Sequence, residues 1–288
     1  MQHIVIISTS YPTIQDGSEA AGSFVADFAA QLAQSVRVSV VAPSLQTSIE
    51  QLHENLNIYR FKVPNLPLSS LKPYYPHHWR KIVATVRAGE QTLAHLAQTE
   101  KIDHIFALWV LPSGYWAQRV GQHHHIPYST WALGSDIWSL GQIPVIKNRL
   151  RSVLQHSHHN FADGYLLKTS VEHLSNRICD FLPSTRQLTI DKTKSLATQP
   201  PYKLAFLGRW HPNKGIDILL DSLTRLTASD WEKITAIQIA GGGVLADKVT
   251  HAVQKLQQRG LPVTLRGYLN KSEAIELFTW TDFVFLPS

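Results

Sequence analysis

The chain has 288 residues, 44% hydrophobic and 17% charged, with a net charge of +6. That length suits two domains of ordinary size, and the composition is that of a globular protein, not a disordered one. No apolar run approaches the ~20 residues of a membrane span, the single cysteine, Cys179, has no internal disulfide partner and fits a reducing compartment, and the N-terminus reads as a first strand instead of a signal peptide.

Residues 4–7 form an apolar run that predicts a buried strand. It leads into a polar, glycine-containing loop, residues 8–22, which holds Ser18 and Gly22. The loop leaves the carboxyl end of the strand, where open α/β sheets place ligands. It lacks G-x-G-x-x-G, which disfavours a dinucleotide there. Phe24, Val25, Phe28 and Leu32 then make a helical stripe. Residues 36–41 and 56–63 predict further strands. Four prolines exclude regular structure over residues 64–76. Trp79, Ile82, Val83, Val86, Leu93, Leu96 and Ala97 keep helical spacing over a long segment.

Residues 104–108 read as a strand, and Pro112-Ser113-Gly114 opens a helix that ends near His123–His125. Residues 128–133 are the next strand, followed by Gly134-Ser135-Asp136 at its carboxyl end. Gly134 permits close approach, and Asp136 is either a turn or N-cap carboxylate or a functional one. Pro144 opens a basic helix, residues 164–167 read as the last strand of this domain, and Thr169 to Glu172 fits a capping box. Alternating strands and helices make a doubly wound α/β domain over residues 1–182, with the threonine-rich stretch 183–201 as a linker and a second domain over 202–288.

In the second domain, residues 204–207 are a short apolar run, as expected of a strand buried on both faces. Gly208 ends it, and Asn213 is placed to cap a helix with the stripe Ile216, Leu219, Leu220 and Leu223. Arg209 and Lys214 lie between strand and helix. Cations, backbone N–H groups and helix dipole together suit a diphosphate; the plainer reading is two surface side chains in an ordinary loop. Residues 234–240 are a strand followed by Gly241-Gly242-Gly243, which lets the backbone approach a ligand. Gly241-x-Gly243-x-x-Ala246 matches a dinucleotide fingerprint only loosely, and the acidic residue expected ~20 positions on is missing. Asn270 to Glu273 fits a capping box, and residues 282–286 read as a final strand.

The positive charge is clustered. Residues 55–89 contain no acidic residue but include Arg60, Lys62, Lys72, Arg80, Lys81 and Arg87, and residues 137–162 contain none beside Lys147, Arg149 and Arg151. Such stretches suit anionic lipid, phosphate or nucleic acid. Without zinc-finger spacing or an RNP-like motif, no nucleic-acid partner is expected. The fifteen histidines show no H-E-x-x-H and no paired Cys/Asp spacing, so they read as solvated loop residues and no metal site is expected.

Gly208-Arg209-x4-Lys214-Gly215 after an apolar strand resembles the donor-diphosphate motif of retaining glycosyltransferase family 4, whose fold is GT-B, two Rossmann-like domains. The resemblance extends over nearly the whole chain. It implies that Gly208, Arg209, Lys214 and Gly215 hold the diphosphate of a nucleotide-sugar, and that Gly241, Gly242 and Gly243 form a donor-site loop. Ser18, Gly22, Pro112, Ser113, Gly114, Gly134 and Ser135 then belong to acceptor-side loops, with Asp136 as the candidate catalytic carboxylate. Many members carry a histidine just before that glycine; here the position is Leu133.

The activity implied is transfer of a sugar, with retained anomeric configuration, from a nucleotide-diphosphate sugar to a glycan or lipid-linked acceptor, in a cleft between domains that excludes water. It needs no cofactor and no metal. The location implied is cytoplasmic, with peripheral contact between the basic stretch around Tyr74, Tyr75 and Trp79 and the anionic inner face of a membrane. In the family, two glutamates separated by seven residues follow the final strand and its Pro-Ser. Neither follows Pro287-Ser288, so the second domain reads as incomplete and the chain as truncated. The alternative is a non-catalytic nucleotide-sugar-binding relative or an inactive fragment. An NAD-dependent enzyme is disfavoured by the missing fingerprint.

Overall fold

The computed structural model describes residues 1–13, 20–189 and 197–287. Two compact units divide the chain, one taking in Met1–Thr13 and Ala21–Arg186, the other Gln187–Ser288.

The strands of the first unit are β1 (His3–Ile7), β2 (Arg37–Ser44), β3 (Ser48–His53), β4 (Leu56–Lys62), β5 (His104–Leu108), β6 (Tyr128–Ala132), β7 (His159–Ala162) and β8 (Cys179–Phe181). Its helices are α1 (Ala20–Leu32), α2 (Trp79–Thr99), α3 (Ser113–His124), α4 (Ser135–Trp138), α5 (Pro144–His156) and α6 (Tyr165–Ser175). The strands make one sheet in the order β3-β4-β2-β1-β5-β6-β7-β8, parallel throughout except for β3. Val5, Ile6, Ile7, Val38, Val40 and Val41 are fully buried, as a parallel sheet covered on both faces requires. Strand order runs outward in one direction from β1 through β2 and in the other through β5. The carboxyl ends of β1 and β5 therefore flank the point where an open sheet forms its ligand crevice. Helices α2 and α3 pack closely because Gly89 leaves room for the Trp116 ring, whose Nε1 donates to Val86 O at 2.8 Å.

The second unit holds β9 (Tyr202–Arg209), α7 (Ile216–Arg225), α8 (Ala228–Trp231), β10 (Ile234–Gly242), α9 (Ala246–Gln258), β11 (Val263–Arg266), α10 (Lys271–Trp280) and β12 (Phe283–Val284). Its four strands are parallel, in the order β11-β10-β9-β12. Ile216, Leu219, Leu220 and Leu223 on α7 and Val249, Val253 and Leu256 on α9 bury their stripes in one core with Phe206, Ile237 and Ile239.

Several expectations are corrected. The strand expected at residues 164–167 lies earlier, at β7, where the Asn160 side chain is bonded to Thr130 Oγ1 at 2.8 Å and Leu154 O at 3.1 Å. Tyr165 already begins α6, so Thr169 sits inside a helix and donates back to Tyr165 O instead of opening a capping box. Asn213 caps nothing: it lies in a short 3-10 turn, and Gly215, with φ +64°, precedes α7. The final strand is only the pair Phe283–Val284. The capping box of Asn270 and Glu273 is present, with Asn270 N donating to Glu273 Oε2 at 2.8 Å and Glu273 N to Asn270 Oδ1 at 3.0 Å. Edge strand β3 is largely exposed, Ile49 and Leu52 included, and lies outside the sequence expectations.

Candidate functional site

In the second unit, the parallel register of β9 and β10 sets Gly208 beside Gly241 and Arg209 beside Gly242. Beyond the strands the two turns stay joined: Trp210 N donates to Gly242 O at 2.8 Å and Leu245 N to Trp210 O at 3.0 Å. Arg209 is exposed at the carboxyl end of β9, and half-buried Lys214 stands two residues before α7. Among the described residues neither has a carboxylate within ion-pair distance. Two unpaired cations at a strand end and before a helix N-terminus form an electropositive setting that favours an anion. Gly215 must be glycine for a second reason besides its positive φ, because the Pro287 carbonyl occupies the place of a Cβ.

The glycine triplet has a packing explanation that the sequence did not reveal. The carbonyl of Gly208 fills the space a side chain on Gly241 would need, the Tyr268 ring stands 2.6 Å from a Cβ on Gly242, and Trp210 O stands 2.7 Å from one on Gly243. These glycines let the protein's own segments close on one another at the strand ends.

In the first unit, Pro112 precedes α3, Ser113 and Gly114 are buried in its first turn, and Gly134, with φ +103°, precedes α4, where Ser135 is exposed. A Cβ on Gly114 would stand 2.7 Å from Val153, so this glycine serves the packing of α3 on α5. Gly22 is likewise packed against the backbone of Tyr11 and Pro12. Ser18 lies outside the described residues.

Asp136 is 1% exposed. Its Oδ2 accepts from Val110 N at 2.7 Å and its Oδ1 from Leu133 N at 3.3 Å. Burial pushes its pKa up to about 6, against the pull of the backbone N–H groups of Val110, Leu133, Asp136 and Ile137. This geometry fits a carboxylate that orders two turns more directly than one that reaches a substrate.

Two readings of charge and histidine change in detail. Arg60 leaves the basic surface: it is 6% exposed, with Nε 2.6 Å from Glu50 Oε1 and an NH2 nitrogen 2.8 Å from Pro12 O. Not all histidines are solvated. His3 is buried against Ser39 Oγ at 2.9 Å, and His104, 2.9 Å from Ser129 Oγ, has its pKa lowered to about 4 by burial and then by His158 and His159. Among the described residues no group of three or more His, Cys, Asp or Glu is placed to hold a metal ion, and no helix is long and apolar enough to cross a membrane.

No protein-family model matches the chain, and no curated protein matches it in sequence. Solved structures do match in shape. HepE of Anabaena, in complex with UDP and glucose, is 15% identical with a TM-score of 0.62, over 99% of this chain and 73% of that one. The lipopolysaccharide outer core galactosyltransferase WaaB, in its apo form, is 14% identical with a TM-score of 0.57, over 95% and 70%. An α,α-trehalose-phosphate synthase (UDP-forming) from Burkholderia vietnamiensis is 10% identical with a TM-score of 0.69, over 99% and 77%. The likeness shows the fold: the chain is α/β of the GT-B glycosyltransferase type, with Rossmann-like units.

Proposed function

We propose that this protein moves a sugar from a nucleotide-diphosphate sugar to an acceptor hydroxyl with retention of anomeric configuration. The observation that supports it most is the pair Arg209 and Lys214, unpaired among the described residues, at the strand end and helix start of a GT-B-type unit. Negative charge grows on the diphosphate as the bond to the sugar breaks. Two fixed cations and the backbone N–H groups near Gly215 stabilise that charge without having to reorganise. The acceptor hydroxyl attacks from the face the leaving group departs and gives its proton to the departing diphosphate oxygen. In this reading Gly208 and Gly215 shape the diphosphate turn, and Gly241, Gly242 and Gly243 hold the neighbouring turn against it.

The acceptor is a glycan or a lipid-linked sugar, met by the turns at Pro112–Gly114 and Gly134–Ser135 in the first unit. Uridine is the first base to try, because HepE is solved with UDP and glucose. The cations neutralise the diphosphate, so the reading requires no resident metal or organic cofactor. The test is release of UDP from UDP-glucose and UDP-galactose on addition of candidate acceptors. Acceptor-dependent release supports an enzyme. UDP binding without any release supports the second reading, a non-catalytic nucleotide-sugar-binding protein, which Leu133 in place of the family's histidine favours.

A cytoplasmic protein that docks on an anionic membrane surface fits the first unit. Tyr74, Tyr75, Trp79 and Val83 are exposed by 63, 47, 57 and 46%. Lys72, Arg80, Lys81 and Arg87 are exposed among or beyond them. Trp79 Nε1 donates to Pro73 O at 2.6 Å, which holds the ring at the start of α2. Apolar rings beside cations suit the headgroup boundary of such a membrane.

A further inference from the structure

Asp136 has a place in the fold that its sequence neighbours do not announce. It stands in the first turn after β6, yet its shortest hydrogen bond, 2.7 Å, runs to the backbone of Val110 in the turn after β5. Its other oxygen takes the N–H of Leu133, the residue that leads into Gly134. The two turns so joined are the ones that present Pro112–Gly114 and Gly134–Ser135. The turn after β5 is an unusual one. Trp109 has φ +66°, a left-handed conformation that a bulky residue adopts only when its surroundings impose it. Trp109 N donates to Trp131 O at 3.0 Å and Gly114 N to Trp109 O at 3.3 Å, and Val110 N adds the bond to Asp136.

We infer that Asp136 is the positioning residue of this edge: its two carboxylate oxygens clamp the turn after β5 to the turn after β6. The inference rests on the glycosyltransferase reading only for the consequence to sugar transfer. The chemistry of the clamp is simple. An ionised carboxylate offers two accepting oxygens, one for each N–H. An asparagine at this position has the same shape but a single accepting oxygen, so one of the two bonds is lost. The groups acting on the carboxylate are all backbone N–H groups: Val110 from the turn after β5, Leu133 from the end of β6, and Asp136 and Ile137 from its own helix.

The test compares the intact chain with its Asp136→Asn variant by amide hydrogen exchange at pH 7.5. Protection of the Val110 and Leu133 amides is at least tenfold lower in the variant, while amides in the middle of β5 keep theirs. Equal protection of these amides in the two proteins overturns the clamp. UDP affinity, read on the same samples, is the same in both. Where transfer is measurable, the variant loses acceptor-dependent rate and keeps its KM for the nucleotide-sugar; full transfer by the variant overturns the positioning role. Absence of transfer in the unaltered protein counts against the glycosyltransferase reading, and the amides still decide the clamp.

Discussion

Gly241 stands beside Gly208 across the parallel β9–β10 pair, and the carbonyl oxygen of Gly208 occupies the place where a side chain on Gly241 would begin. Its φ of +133° adds a second reason for glycine, since L side chains rarely adopt that conformation. The carboxyl end of β10 can thus close on the carboxyl end of β9, where Arg209 emerges. A methyl group there must push the two strand ends apart. Gly241→Ala should therefore destabilise the second unit by at least ~3 kcal/mol, combining backbone strain and overpacking. Thermal unfolding checks it: a variant that melts with the unaltered protein contradicts the register of these strands.

Asp136 gives a prediction with an unusual sign. Burial raises its pKa from the ordinary 3.8 to about 6, so the folded chain holds this proton more tightly than the unfolded chain does. The stability from this group is complete below about pH 4 and is lost as pH rises through about 6, a difference on the order of 3 kcal/mol. At pH 7.5 the ionised carboxylate is thus a cost to folding, kept for where it holds the turns. Asp136→Asn, which buries no charge, should be more stable than the unaltered protein by ~1–3 kcal/mol at pH 7.5. The gain should vanish near pH 4. Urea unfolding at the two pH values measures it, and a less stable variant at pH 7.5 would show that the two backbone bonds outweigh the burial.

Much of this architecture is legible in the chain because its signals are local. The runs at β1, β2, β5 and β9 are apolar on both faces, and the stripe Ile216, Leu219, Leu220 and Leu223 has the helical period, so strand and helix follow from pattern alone. Arg209 and Lys214 are legible as a pair for the same reason: their setting, between a buried strand and an apolar helix, is written in neighbouring residues. What the sequence hides depends on partners far along the chain. Arg60 reads as surface charge until Glu50 and the Pro12 carbonyl come to it across the first sheet. Gly241 reads as an invitation to a ligand until Gly208, 33 residues earlier by subtraction of the two residue numbers, is seen to fill the space. Residues 164–167 look like a strand by their apolar content, but pairing with β6 is taken by β7, and its Asn160 finds partners that make a polar residue welcome in the sheet.

The exposed rings before and within the first turns of α2 predict a surface interaction that salt weakens. The protein should pellet with vesicles of mixed neutral and anionic lipid at low ionic strength, and release should follow as salt shortens the Debye length from about 30 Å at 0.01 M to about 8 Å at 0.15 M. Replacing Arg80 and Lys81 together by glutamine should weaken pelleting about tenfold or more, at about 1 kcal/mol for each charge near the surface. No pelleting at low salt, or pelleting indifferent to salt, rules out electrostatic docking.

The central claim is that Arg209 and Lys214 grip a diphosphate, and calorimetric titration of UDP against uridine tests it most directly. Arg209→Ala and Lys214→Ala should each weaken UDP binding by ~1.5–3 kcal/mol, the range for hydrogen bonds to charged groups, or roughly 10- to 150-fold. Uridine binding should scarcely change in either variant, because a nucleoside presents no phosphate to either cation. Equal losses for UDP and uridine would show that the two residues support the fold of the turn without touching a phosphate, and UDP binding undisturbed in both variants would remove the diphosphate from this site.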